Sequence, residues 1–200
     1  MRENRNLCIK YTIYIQRGKS PKYSEVSNIP VISQKCIQWS GFDIKKARFI
    51  EPESIDTYRE ERLIKQGDLL WNSTGLGTLG RINVVPRVEE YDVLVADSHV
   101  TVIRPVKELI SSQYLYSWFA GSKVQSEIED KSSGSTKQAE LSTTTIKNYY
   151  VPLPPLNEQQ RIVEKVDSLM ALCNELEERI ANSKKCSEKL MEAILKDMLV

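Results

Sequence analysis

Two patterns of apolar and polar positions divide this chain near Pro155. Ahead of it, apolar residues come in short runs broken by Gly, Pro, Ser or Asn. Residues 8–15, 68–71, 81–85, 92–95 and 99–104 carry β-branched and aromatic side chains at strand length. Residues 29–32 and 37–39 are shorter stretches of the same kind. Residues 112–120 follow a helical spacing instead, with Tyr114, Leu115, Trp118 and Phe119 on one face, and residues 123–129 also read as helix. Strands outnumber helices, so residues 1–155 are predicted to form an α+β domain with a mixed or antiparallel sheet.

Behind Pro155 the pattern changes. Val151-Pro152-Leu153-Pro154-Pro155-Leu156 is held extended by its prolines, each disfavouring helix in the residue before it. Asn157 then offers an N-cap side chain, and Gln160 three positions on completes a capping box. No Gly or Pro follows as far as Val200. Apolar residues recur at alternating spacings of four and three through Ile162, Val166, Leu169, Cys173, Leu176 and Ile180. The register meets Ser183 and Ser187, then returns at Leu190 and Ile194. This heptad seam predicts a coiled-coil helix over 156–200, about 65 Å long at 1.5 Å per residue. A domain of this size cannot cover such a length alone, so the helix requires a partner helix.

Composition adds little to the class: 40% hydrophobic and 28% charged residues describe an ordinary folded protein. No apolar run approaches a membrane span, and none resembling a signal peptide follows Met1-Arg2-Glu3-Asn4-Arg5-Asn6, which places the chain in the cytoplasm with no membrane partner. Cys8, Cys36, Cys173 and Cys186 lack the paired spacing of a metal cage, and read as free, mostly buried thiols. The net charge of +1 hides an uneven distribution. Residues 1–65 hold 13 Lys/Arg against 8 Asp/Glu, concentrated in Arg17, Lys19, Lys22, Lys35, Lys45, Lys46 and Arg48. That local excess suits a phosphate-facing patch.

The motifs exclude more than they assign. Gly75-Leu76-Gly77-Thr78-Leu79-Gly80 fits the GxGxxG spacing of dinucleotide sites, which needs a helix behind it. Here Arg81-Ile82-Asn83-Val84-Val85 reads as a strand, so the context is a hairpin. A kinase phosphate loop does sit between strands, but the HRD and DFG motifs that must accompany it are missing. What remains is a glycine loop flanked by Ser73, Thr74, Thr78 and Arg81, suited to close approach by a phosphate backbone or base edge. A second polar stretch, 131–138, precedes Leu141-Ser142-Thr143-Thr144-Thr145, in which Ser142 is placed to cap a short helix through Asn148. His99 is the only histidine and has no ordered nucleophile pattern beside it. Glu129-Asp130-Lys131 fits half of a nuclease motif, without the Pro-Asp that should precede it. The expectation is a protein with no catalytic residues, metal or cofactor of its own.

Taken in order, five stretches resemble one half of a type I restriction-modification specificity subunit. They are Gly18-Lys19-Ser20-Pro21 with Tyr23; Ile64-Lys65-Gln66-Gly67-Asp68-Leu69-Leu70 leading to Ser73-Thr74-Gly75 and Gly80-Arg81; Ala96-Asp97-Ser98-His99-Val100 with Arg104-Pro105; Gly134-Ser135-Thr136-Lys137-Gln138 with Leu141-Ser142; and Val151-Pro152-Leu153-Pro154-Pro155-Leu156-Asn157-Glu158-Gln159. The last is the most specific. The resemblance implies a target-recognition domain on double-stranded DNA and a helix that spaces two such domains. It also implies methyltransferase subunits, which carry S-adenosylmethionine and the chemistry, and a restriction subunit. Full subunits of that family have two domains and two helices, so this chain is either a fragment or a half-subunit that forms a homodimer through Ile162, Val166, Leu169, Cys173, Leu176, Ile180, Leu190 and Ile194. Candidate DNA contacts are Lys19, Lys22, Tyr23, Ser73, Thr74, Thr78, Arg81, Thr136, Lys137 and Gln138. A related multi-subunit restriction system and a protein-interaction scaffold are the alternative readings.

Overall fold

The computed structural model describes residues 12–75, 77–132 and 139–198. Its strands are β1 (Thr12–Arg17), β2 (Tyr23–Ser24), β3 (Pro30–Ile32), β4 (Ile37–Gln38), β5 (Gly41–Phe42), β6 (Arg48–Ile50), β7 (Leu69–Asn72), β8 (Ile82–Val84), β9 (Val95–Ala96) and β10 (Val100–Pro105). One four-stranded sheet has the order β1-β10-β7-β8, a second the order β2-β6-β3-β9, and β4-β5 is a separate hairpin. The first sheet is antiparallel throughout; the second is mixed, because β3 and β9 run parallel. The helices are α1 (Ser112–Ala120), α2 (Ser122–Gln125), α3 (Ile128–Lys131), α4 (Thr143–Lys147) and α5 (Leu156–Met198).

Every side chain of β7 is buried. That follows from a strand covered on both faces, since successive side chains alternate between them. Leu70 joins Ile32, Ala96, Val100 and Val102 in a core shared with the second sheet. Trp71 faces the other way, against Phe119 of α1 and Tyr149, with ring centroids 4.6 and 5.8 Å away. Each fully buried Leu, Ile or Phe contributes roughly 1.5–3 kcal/mol, so this layered arrangement supplies most of the cohesion.

Several predicted boundaries shift. Residues 92–94 are not strand, and β9 is only Val95–Ala96. The helix predicted over 123–129 is two single turns, α2 and α3, broken at 126–127. Of the four cysteines, Cys36 is buried as expected, but Cys173 and Cys186 are exposed on α5, and Cys8 lies outside the described residues.

The long helix begins two residues earlier than the predicted cap implies. Glu158 N–H and Gln159 N–H both donate to Pro155 O, at 2.9 and 3.0 Å, so Pro155 rather than Asn157 occupies the boundary position. The reason is a side chain the spacing did not single out. Gln159 is fully buried, accepts from Ser111 N–H at 2.8 Å and donates to Leu109 O and Pro154 O, both at 2.9 Å. The chain divides into two units, Met1–Gln160 and Arg161–Val200, so this first turn goes with the domain. Beyond it, Ile162 and Val166 are half-buried, whereas Leu169, Cys173, Leu176, Ile180, Leu190 and Ile194 are exposed. Among the described residues, no helix is long and apolar enough to cross a membrane.

Candidate functional site

The register of the first sheet gathers most of the candidate residues at one end of it. Arg17 closes β1 opposite Thr101, near the start of β10. Asn72 closes β7 opposite Val100, and Ile82 opens β8 opposite Trp71. The segments leaving these ends are Gly18-Lys19, the 73–81 loop and the turn around His99. The other end of the sheet carries different business. There Asp68 and Arg104 form a buried pair with two hydrogen bonds of 2.8 and 2.7 Å. There too Ser112 Oγ donates to Gly67 O at 2.6 Å, tying in the loop that receives Gln159.

Lys19 is positioned by its neighbour. A Cβ at Gly18 would lie 2.1 Å from Ala96 O, so only glycine passes this point. The approach lets Gly18 N–H donate to Val100 O and Lys19 N–H to Ala96 O. Tyr23 lies on the same side: its hydroxyl donates to Asp97 Oδ2 at 2.9 Å, and the Arg48 guanidinium sits 3.6 Å from the ring centroid. Burial, then the bond to Asp97, pushes the Tyr23 phenol up to about 12. Asp97 Oδ1 accepts from His99 N–H at 2.8 Å and also meets His99 Nδ1. Ser98 Oγ lies 3.5 Å from that same nitrogen. A serine relay needs acid and nucleophile on opposite ring nitrogens, so Asp97, Ser98 and His99 do not form one.

The hairpin context of the glycine loop is confirmed by the pairing of β7 with β8. Gly75, Gly77 and Gly80 have φ of 97°, 74° and 87°, a region that favours glycine. Inside the loop, Thr78 Oγ1 donates to Thr74 O at 3.2 Å. Arg81 braces it from below, donating to Gly77 O and to Gln38 Oε1, each at 2.6 Å. Among the described residues, nothing lies within 4 Å of where a Cβ at Gly77 would sit. The chain returning after residue 138 runs beside the loop's root: Gly75 N–H donates to Ala139 O, and Leu141 N–H donates to Ser73 O at 2.8 Å. Ser142 caps α4 as expected, accepting from Thr145 N–H at 3.0 Å.

The candidates therefore sort by place. Lys19, Tyr23, Thr78 and Arg81 are brought to one end, linked through Asp97 and through Ser73 N–H donating to His99 O at 2.9 Å. Lys22 is exposed beside them. Ser73 and Thr74 are buried: the Ser73 hydroxyl meets Thr101 Oγ1, and Thr74 Oγ1 accepts from Gln34 Nε2. Their side chains face the interior, because the chain continues past β7 in extended pairing, Thr74 bridging Glu140, before it turns at Gly75. Thr136, Lys137 and Gln138 lie outside the described residues. Sequence reasoning missed Gln34 and Gln38, which hold the loop, and Trp39, which is 48% exposed at the β4–β5 turn. Residues 37–39 read as a plain strand, and an exposed Trp beside Ser40-Gly41 is the signal that marks the turn.

Comparison with known proteins gives one consistent group. The family described as the type I restriction modification DNA specificity domain matches residues 11–183. The EcoBI specificity subunit of Escherichia coli is 29% identical over 153 residues, 76% of this chain and 31% of that protein. The MjaVIII specificity subunit of Methanocaldococcus jannaschii is 25% identical over 197 residues, 94% of this chain and 44% of that protein. The chain thus spans less than half the length of these relatives. Among solved structures, a chain from a type I R-M system described in terms of complex assembly and conformational transition shares the fold, with TM-score 0.66 at 20% identity, covering 91% of this chain and 42% of the other. The HsdS subunit from Thermoanaerobacter tengcongensis gives TM-score 0.61 at 22% identity, covering 82% and 41%.

Proposed function

The chain belongs to the type I restriction-modification DNA specificity family, and from that premise we propose that it reads one half of a bipartite DNA target. The observation that carries this reading is the gathering of the glycine loop, Lys19, Lys22 and Tyr23 at one end of the first sheet, with Ala139 tied to the same loop. Small side chains, with no described residue crowding Gly77, permit a groove edge to come close. In this reading Lys19 and Lys22 hold phosphates, Thr78 and Gln138 address bases, and Thr136 and Lys137 also contribute contacts. Arg81 contributes mainly as the brace that shapes the loop. Ser73 and Thr74 support the loop from within.

The reading assigns no reaction to this chain. Methylation and cleavage belong to methyltransferase and restriction subunits that assemble on it in the cytoplasm. The exposed seam of α5 supports an antiparallel homodimer, in which two copies present the same reading surface twice. The target is then an inverted repeat with a fixed spacer. The test is to produce the chain with modification subunits and map methylated sites in the host DNA by single-molecule sequencing. A single inverted-repeat motif with constant spacer is expected; methylation without a motif, or none, would reject the reading.

A further inference from the structure

Beside the end of β1 lies a cleft of about 530 Å³ whose lining includes Arg17, Lys19, Arg62 and Lys147 and, among the described residues, no Asp or Glu. Four cations at one cleft repel one another, and an anion seated among them turns that repulsion into attraction. The four are not equally committed. Arg17 Nη1 pairs with Glu140 and its Nη2 donates to Ser73 O at 3.3 Å. Arg62 Nη1 donates to Arg17 O at 3.2 Å, and the Lys19 ammonium donates to Thr57 O. Lys147, in the last turn of α4, has no hydrogen bond or ion pair among the described residues. Thr143, one turn earlier, adds a hydroxyl to the same lining.

The fold explains the convergence. α4 packs on β1, and Ser142 caps it so that Thr143 and Lys147, four residues apart, share a face. Arg17 links the cleft to the root of the glycine loop through Ser73 O. We propose that this cleft seats a backbone phosphate of the bound duplex, with Lys147 as its uncommitted donor. The proposal deepens the DNA-reading function and rests on it. A phosphate held here fixes the register of the duplex against the loop and carries no sequence information itself.

The test uses the full chain, the duplex motif found by methylation mapping and a scrambled duplex of equal length, each measured over a series of salt concentrations. Lys147→Gln is expected to reduce the slope of log affinity against log salt by about 0.9, the value for one phosphate contact. Lys147→Glu is expected to weaken both duplexes by the same factor, about ten-fold. Lys147→Arg should retain the wild-type slope, and Lys107→Glu, at the other end of the sheet, should change nothing. Unchanged slope and affinity in Lys147→Gln and Lys147→Glu, with wild-type melting curves, would overturn the cleft while leaving the DNA-reading function standing. A wild-type chain that binds neither duplex would remove both. Inorganic phosphate that shifts the Lys147 resonances, in a protein whose DNA affinity ignores Lys147, would assign the cleft to a free anion instead.

Discussion

Tyr23 shows how much one side chain's role depends on a partner far away in sequence. Its hydroxyl bonds to Asp97, and Asp97, only 5% exposed, also receives the His99 backbone N–H. Burial and that bond hold the phenol proton, raising its folded pKa from the ordinary 10.0 to about 12, against the opposing charge of Arg48. Because the folded value lies above the unfolded one, the stabilisation is fully present below pH 10 and is lost as pH climbs towards 12. Tyr149 behaves alike, pushed to about 12 by burial and by Glu127. Tyr23→Phe should therefore cost about 1 kcal/mol below pH 10 and flatten the alkaline loss of stability by one proton. Urea unfolding on either side of pH 10 checks both; an unaltered alkaline slope would contradict the assignment. None of this was legible from Tyr23 alone, which read as a DNA-facing aromatic. Ser73 and Thr74 were opaque for the same reason. Polar residues at a strand end look like ligand contacts until Thr101 and Gln34 appear beside them.

At the level of elements, legibility followed length. The central strands β7 and β10, the apolar face of α1 and the body of α5 are marked by patterns that few others mimic. Strands of two or three residues, such as β2, β5 and β6, carry too little pattern and exist only because a neighbour supplies their hydrogen bonds. The start of α5 is instructive. Local capping rules favoured Asn157, but a buried amide two residues on fixes the entry instead. Gln159→Ala strands the Ser111 N–H and the carbonyl of Leu109, and should destabilise the domain by about 1–3 kcal/mol. Asn157→Ala, at an exposed position, should stay within about 0.5 kcal/mol. Chemical denaturation of the two variants side by side decides the matter, and equal effects would count against the anchor.

For the molecule as a whole, the proposed assembly rests on the exposed seam of α5. Leu176 and Ile180 are 50% and 68% exposed, an arrangement that a partner helix relieves. Leu176→Lys combined with Ile180→Lys should yield monomers by light scattering while the Met1–Gln160 unit keeps its melting transition, since the two units are distinct. A wild-type monomer at micromolar concentration would end the homodimer proposal. The exposed apolar seam was readable from the heptads; the identity of any partner was not, because a seam records shape and polarity and not ownership. The first sheet also has a consequence for change over time. The loops proposed to contact DNA lie at the Arg17 end, and its fastening to the start of α5 lies at the Gly67 end, with the strands between them. Under the proposed reading, a new vocabulary can be installed at one end by exchanging loops without retooling the socket at the other, so that a single mounting would serve many alphabets.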